Sequence, residues 1–125
     1  MPGVLVVEDN EQNLGLIRYL LRSAGITCSE ARDGREGVAR AKSEQPDLIL
    51  MDIQLPLLDG YGALAELRQD PRFAHTCIVA VTAYSMSGDR ERALKAGFDG
   101  YLSKPIDPFT FATTIHSYLA QADVS

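Results

Sequence analysis

Three short runs in this chain, Val4-Leu5-Val6-Val7, Leu48-Ile49-Leu50-Met51 and Ile78-Val79-Ala80-Val81, are apolar at every position. A strand with one face in water alternates apolar and polar residues. An unbroken run implies burial on both faces, the condition of strands in a parallel sheet covered by helices. Between the runs the period changes. Leu14, Ile17 and Leu21 keep helical spacing over residues 13–24, and Gly25 is placed to close that helix in the left-handed conformation. Residues 27–31 read as a weaker second strand; after the Asp33-Gly34 turn, residues 35–43 read as a helix with Val38 and Ala41 facing in, ending before Pro46. Leu55-Pro56-Leu57-Leu58-Asp59-Gly60 is a turn by its Pro and Gly, and a helix over 61–69 follows. The strand over 78–82 leads, through a loop carrying Tyr84, to Ser87, the expected N-cap of a helix stopped by Gly97. Gly100-Tyr101-Leu102 makes a short fifth strand, and Asp107-Pro108 opens a last helix whose inner face is Phe111, Ile115 and Leu119.

Strands alternating with helices in this way specify an α/β fold: a five-stranded parallel sheet, order 2-1-3-4-5, doubly wound by five helices through right-handed crossovers, in the flavodoxin-like manner. The 125 residues suit one domain spanning 1–125, with no output domain expected after the last helix. With 12 Lys+Arg against 17 Asp+Glu and no basic stripe, direct binding of nucleic acid is not expected. The apolar runs are far too short to span a membrane and no signal-peptide pattern is present, so the expected location is cytoplasmic. Cys28 and Cys77 fall on the second and fourth strands, three spacings or about 14 Å apart. A disulfide needs Cα atoms within about 7 Å, so both are expected to be unpaired core residues. His75 and His116 have no metal-ligand spacing and read as surface residues.

In such a sheet the carboxyl ends of the strands share one edge, so residues remote in sequence converge there. The residues at those ends are Glu8, Asp9, Asp52, Thr82 and Lys104. Singly, Glu8 and Asp9 would serve as helix caps, Thr82 as a strand residue and Lys104 as a counter-ion; the joint placement is what carries chemistry. Unless one is protonated, three close carboxylates call for a cation, and an all-oxygen ligand set favours Mg²⁺, or Mn²⁺, over zinc. A hard cation in that pocket also neutralises an incoming phosphoryl group, with Lys104 and Thr82 placed for further phosphoryl oxygens. No Ser or Cys paired with a His falls among these strand-end residues, so the nucleophile is a carboxylate that would form an acyl phosphate, and Asp52, central in the set, is the candidate. A metal-dependent phosphohydrolase with an aspartyl nucleophile is a rival; proteins of that kind carry an Asp-x-Asp after the first strand, which Glu8-Asp9-Asn10-Glu11 lacks. A flavin module of similar topology is another, but the acidic loop after the first strand would repel a phosphate monoester.

Val6-Val7-Glu8-Asp9-Asn10, Leu50-Met51-Asp52-Ile53-Gln54-Leu55-Pro56, Thr82-Ala83 and Ala96-Gly97-Phe98-Asp99-Gly100-Tyr101-Leu102-Ser103-Lys104-Pro105 together resemble the CheY-like receiver domains of two-component response regulators. The family has the strand order given above, so that order is not independent of the resemblance. The resemblance implies a phospho-accepting switch rather than a turnover enzyme, one that catalyses only its own phosphorylation and slow dephosphorylation. A histidine kinase or histidine phosphotransfer protein would donate a phosphoryl group to Asp52. Asp9 and Asp52 would bind Mg²⁺ directly with the Gln54 main-chain carbonyl, and Glu8, where the family often has Asp, would assist. Lys104 and Thr82 would hold the phosphoryl oxygens. Movement of Thr82 would let Tyr101 turn inward and reshape the face of the fourth helix, fifth strand and fifth helix, where a downstream effector protein docks. The resemblance also implies a cis Lys104-Pro105 bond and control of water access to the acyl phosphate by Gln54 and Tyr84; the bulk of Tyr84 is expected to shield the acyl phosphate and lengthen its lifetime, and the chain is expected to be a monomer or weak dimer. A receiver-like scaffold acting without phosphorylation is the remaining alternative, and the intact five-residue set argues against it.

Overall fold

The structure, a computed structural model, describes residues 3–83 and 88–124. In chain order the elements are β1 (Gly3–Val7), α1 (Glu11–Ser23), β2 (Thr27–Ala31), α2 (Gly34–Glu44), β3 (Leu48–Asp52), α3 (Gly60–Gln69), a 3₁₀ turn (Pro71–Phe73), β4 (Cys77–Thr82), α4 (Asp89–Ala96), β5 (Gly100–Ser103) and α5 (Pro108–Val124). The strands form one parallel sheet in the order β2-β1-β3-β4-β5. Alternate residues of each unbroken run enter opposite cores, as the period of 2 in a strand requires. Leu5, Val7, Ile49, Met51, Ile78 and Ala80 pack with Val38 and Ala41 of α2, Ala63, Leu64 and Leu67 of α3, and Ala93 of α4. Val4, Val6, Leu48, Leu50, Val79 and Val81 face the other way, onto Leu14, Ile17 and Leu21 of α1 and Phe111, Ile115 and Leu119 of α5. Burial of these apolar faces, not helix propensity, is what holds the helices on the sheet.

Local chemistry sets the helix ends. Helix α1 starts at Glu11 rather than at the expected 13, because the Asn10 carboxamide oxygen accepts the Asn13 N–H at 3.0 Å and makes Asn10 the cap. Asp33 and Asp59 cap α2 and α3 in the same way. Asp107 accepts the Phe109 N–H at 2.9 Å at the start of α5. Gly25 and Gly97 lie in the left-handed region after α1 and α4, as expected. The expected cap Ser87 lies outside the described residues, and the residue before α4 is Gly88. Cys28 and Cys77 are unpaired. His75 and His116 are exposed. Among the described residues no helix is long and apolar enough to cross a membrane.

Two contacts fix the ends of the central strands. Gly60 opens α3 so close to β3 that a Cβ there would stand 2.6 Å from the Asp52 carbonyl oxygen, while its N–H donates to Ile53 O at 2.8 Å. Only glycine permits that approach, which anchors the loop after Asp52. At the opposite edge the Arg68 guanidinium donates to the carbonyls of Phe73, Thr76 and Gly97 at 2.7, 2.8 and 3.0 Å, and to the Asp99 carboxylate at 2.8 Å. Asp99 also accepts the Ile78 N–H at 2.8 Å, so one side chain ties together the ends of α3 and α4 and the starts of β4 and β5.

Candidate functional site

Parallel pairing brings the ends of β1, β3, β4 and β5 to one rim, with Val7 opposite Met51, Asp52 opposite Val81 and Thr82 opposite Ser103. Residues that end or follow these strands therefore meet. Glu8 and Asp52, 1% and 5% exposed, and Thr82, also buried, sit in the floor, and Asp9 faces solvent. One carboxylate oxygen from each of Glu8, Asp9 and Asp52 lies within 4.8 Å of the other two. Lys104 Nζ completes the group, 2.9 Å from Asp52 Oδ2 and 2.6 Å from Glu8 Oε1. The backbone beneath it is pinned by Lys104 N–H donating to Thr82 O at 2.8 Å, and the Lys104-Pro105 peptide is cis. Asp52 Oδ1 accepts the Gln54 N–H at 3.1 Å, and Glu8 Oε2 accepts the Asn10 N–H at 3.1 Å.

The set is unbalanced, with three carboxylates facing one ammonium. Glu8 Oε1 touches Lys104 Nζ as an ion contact, but outside aligned hydrogen-bond geometry, and no other donor among the described residues reaches it. A buried carboxylate oxygen in that condition is suited to a cation. All the side-chain donors are oxygen, and Asp9 leaves the cluster open to solvent on one side, which suits a hard divalent ion that keeps part of its water. The residues present fit Mg²⁺.

Burial pushes the Glu8 carboxyl up, and the nearby Asp52 charge adds to this; Lys104 and the Asn10 N–H pull it down without cancelling the rise. Burial alone would lower the Lys104 ammonium, but its contacts to Glu8 and Asp52 outweigh that and hold it above the usual lysine value. The Glu8 shift sets a pH dependence. A carboxyl whose value is raised on folding binds its proton more tightly in the folded state, so its contribution is fully present below its ordinary value of 4.5 and is lost as pH rises through the raised value. In metal-free buffer the stability of the wild type relative to Glu8→Gln is therefore expected to fall as pH rises from 4.5 toward neutrality. Urea unfolding of both proteins across that window checks this; a constant difference contradicts it.

Tyr101 is buried in the α2-α3-α4 core. Gln54 is exposed on the rim, and Tyr84 lies outside the described residues. Beside the carboxylates opens a cleft of about 670 Å³ whose lining includes Asp9, Gln54, Thr82, Asp59, Tyr61, Asp89 and Arg92. The last four were not legible as site residues in the sequence, where Asp59 reads only as part of a turn. Tyr61 and Arg92 belong to helices α3 and α4, whose relative placement depends on tertiary packing, and no spacing signal links them. The Arg92 guanidinium stands over the Tyr61 ring, 5.1 Å from its centroid, and Tyr61 meets Phe98 edge-on with centroids 5.8 Å apart.

Comparison with known proteins agrees with this geometry. Residues 4–116 match the family model described as the response regulator receiver domain. The polar-differentiation response regulator DivK of Brucella anthropi is 44% identical over 123 residues, covering 98% of this chain and 100% of that relative. Among solved structures, the receiver domain of a sensor histidine kinase from Pseudomonas aeruginosa PAO1, with a magnesium ion coordinated in its active site cleft, superposes with a TM-score of 0.87 at 37% identity, covering 95% of this chain and 98% of that one. The chemotaxis protein CheY4 of Vibrio cholerae superposes with a TM-score of 0.87 at 27% identity, covering 94% and 98%.

Proposed function

This chain belongs to the response regulator receiver-domain family of two-component signalling, and from that premise we propose that it stores a signal as a phosphoryl group on Asp52. The observation that carries the reading is the convergence of Glu8, Asp9, Asp52 and Lys104 on one rim. Glu8, Asp9, Asp52 and the Gln54 main-chain carbonyl would hold Mg²⁺, which when bound neutralises the crowded carboxylates and the phosphoryl oxygens brought to them. A carboxylate oxygen of Asp52 attacks phosphorus in line as the P–N bond of a phosphohistidine breaks, and the imidazole nitrogen leaves with the electron pair. Lys104 moves its donation from Asp52 Oδ2 to a phosphoryl oxygen, so its charge is in place before the reaction begins. Thr82, at the end of β4, supplies a hydroxyl to another phosphoryl oxygen.

The acyl phosphate is then the signal itself rather than a turnover intermediate, and its slow hydrolysis resets the switch. Donors of the phosphoryl group are a histidine kinase or a histidine phosphotransfer protein. Tyr101 lies on β5 next to Ala80 of β4, two residues before Thr82, so a shift of Thr82 reaches Tyr101 through adjoining strands. The face formed by α4, β5 and α5 is where a downstream effector would sense it. Incubation with Mg²⁺ and acetyl phosphate, followed by intact-mass measurement, is expected to show one labile phosphoryl adduct on the wild type and none on Asp52→Asn. An equal adduct on both proteins would overturn the assignment of Asp52.

A further inference from the structure

The cleft beside the carboxylates has an asymmetric wall. Asp9, Asp59 and Asp89 bring three acids to it, and among the described lining residues Arg92 is the cation. Its guanidinium rests on the face of Tyr61, and Tyr61 is itself braced edge-on against Phe98. A planar cation stacked in this way is oriented while its N–H groups stay available at the edge of the plane. None of the ion pairs within 4.0 Å seen among the described residues includes Arg92.

In an in-line displacement at phosphorus the leaving group points away from the nucleophile. The cleft opens over Asp9, Gln54 and Thr82, the residues around Asp52, so a group leaving from a phosphorus attacked by Asp52 departs into it. When the donor is an acyl phosphate, the Asp52 oxygen forms the new O–P bond, the bridging P–O bond breaks, and its electron pair leaves as a carboxylate. That charge develops among three acids, and Arg92 is the group able to receive it. We propose that Arg92, held on Tyr61, binds the departing carboxylate and makes the cleft selective for acyl phosphates among small-molecule donors. This rests on Asp52 being the phosphoryl acceptor.

A donor with a neutral leaving group separates the two ideas. In phosphoramidate the P–N bond breaks and nitrogen departs as ammonia, with no carboxylate for Arg92 to meet. Adduct formation by intact mass, with acetyl phosphate and with phosphoramidate, is compared for the wild type, Arg92→Gln and Arg92→Lys. The ratio of the acetyl phosphate rate to the phosphoramidate rate is expected to fall about tenfold in Arg92→Gln, the scale of one charge-assisted contact made as charge develops, and to recover in part in Arg92→Lys. Independently of turnover, acetate added to the unphosphorylated protein should shift the Arg92 Nε–H resonance. An unchanged donor ratio in Arg92→Gln, or no response of that resonance, overturns the assignment to Arg92 while leaving Asp52 as acceptor. No adduct on the wild type from either donor rejects the acceptor reading and this inference with it.

Discussion

Lys104→Met is expected to slow phosphoryl uptake on the order of 10²-fold, the usual cost of losing one preorganised electrostatic group at a reacting centre. Methionine keeps most of the apolar stem and removes the charge, so the test isolates the ammonium. The same change should also destabilise the metal-free protein at pH 7, by about 3 kcal/mol, because it strands two buried carboxylates that now share one cation. Glu8 and Asp52 have 2% and 7% of their side-chain surface exposed, so water cannot replace Nζ fully. The sign follows from the raised value of Lys104. A lysine held above its ordinary value contributes stability that is fully present below 10.5 and is lost only as pH climbs through the raised value, so at pH 7 the whole contribution is at stake. Glu8, already raised by burial, would take up a proton more readily once Lys104 is gone, so the deficit should shrink on acidification. Urea unfolding in metal-free buffer at pH 7 and pH 5 checks both statements, and a variant as stable as the wild type at pH 7 contradicts them.

The second large effect lies away from the site. Arg68→Met is expected to lower stability by about 3 kcal/mol, since it removes four short hydrogen bonds from a charged donor and leaves three carbonyls and a carboxylate to find other partners. The loss should be less than the sum of four full contacts, because the Arg68 side chain is 22% exposed and water reaches part of the cluster. Arg68→Lys should recover little, as a single ammonium cannot span acceptors arranged for a guanidinium fork. Chemical denaturation of the three proteins measures this directly, and full rescue by lysine would show that charge alone, rather than the forked geometry, holds the cluster.

The parallel sheet was readable because burial on both faces leaves unbroken apolar runs at β1, β3 and β4, a pattern that half-exposed strands do not produce. Once those runs and the short fifth strand were placed in one parallel sheet, the ends carrying Glu8, Asp52, Thr82 and Lys104 had to share an edge. Harder to read were features made by side chains meeting across elements. Asn10 belongs to an acidic turn in the sequence, and only its local hydrogen bond to Asn13 shows that α1 begins there. The 3₁₀ turn Pro71–Phe73 was missed because three residues carry no periodicity, although Phe73 is fully buried. Arg68 looks like an ordinary cation in the last turn of a helix, and its acceptors come from residues up to 31 positions away. Tyr61 and Arg92 were invisible for the same reason: their contact depends on how α3 and α4 lie on the sheet.

Asp52, rather than another acid of the rim, is expected to take the phosphoryl group. Loading the protein with acetyl phosphate and Mg²⁺, reducing the acyl phosphate with borohydride and mapping the peptides by mass tests it most directly. Reduction converts a phosphorylated aspartate to homoserine and leaves free carboxylates untouched. Homoserine at position 52 alone is the predicted result; homoserine at position 9 or 59, or a loaded protein that yields none, would contradict it.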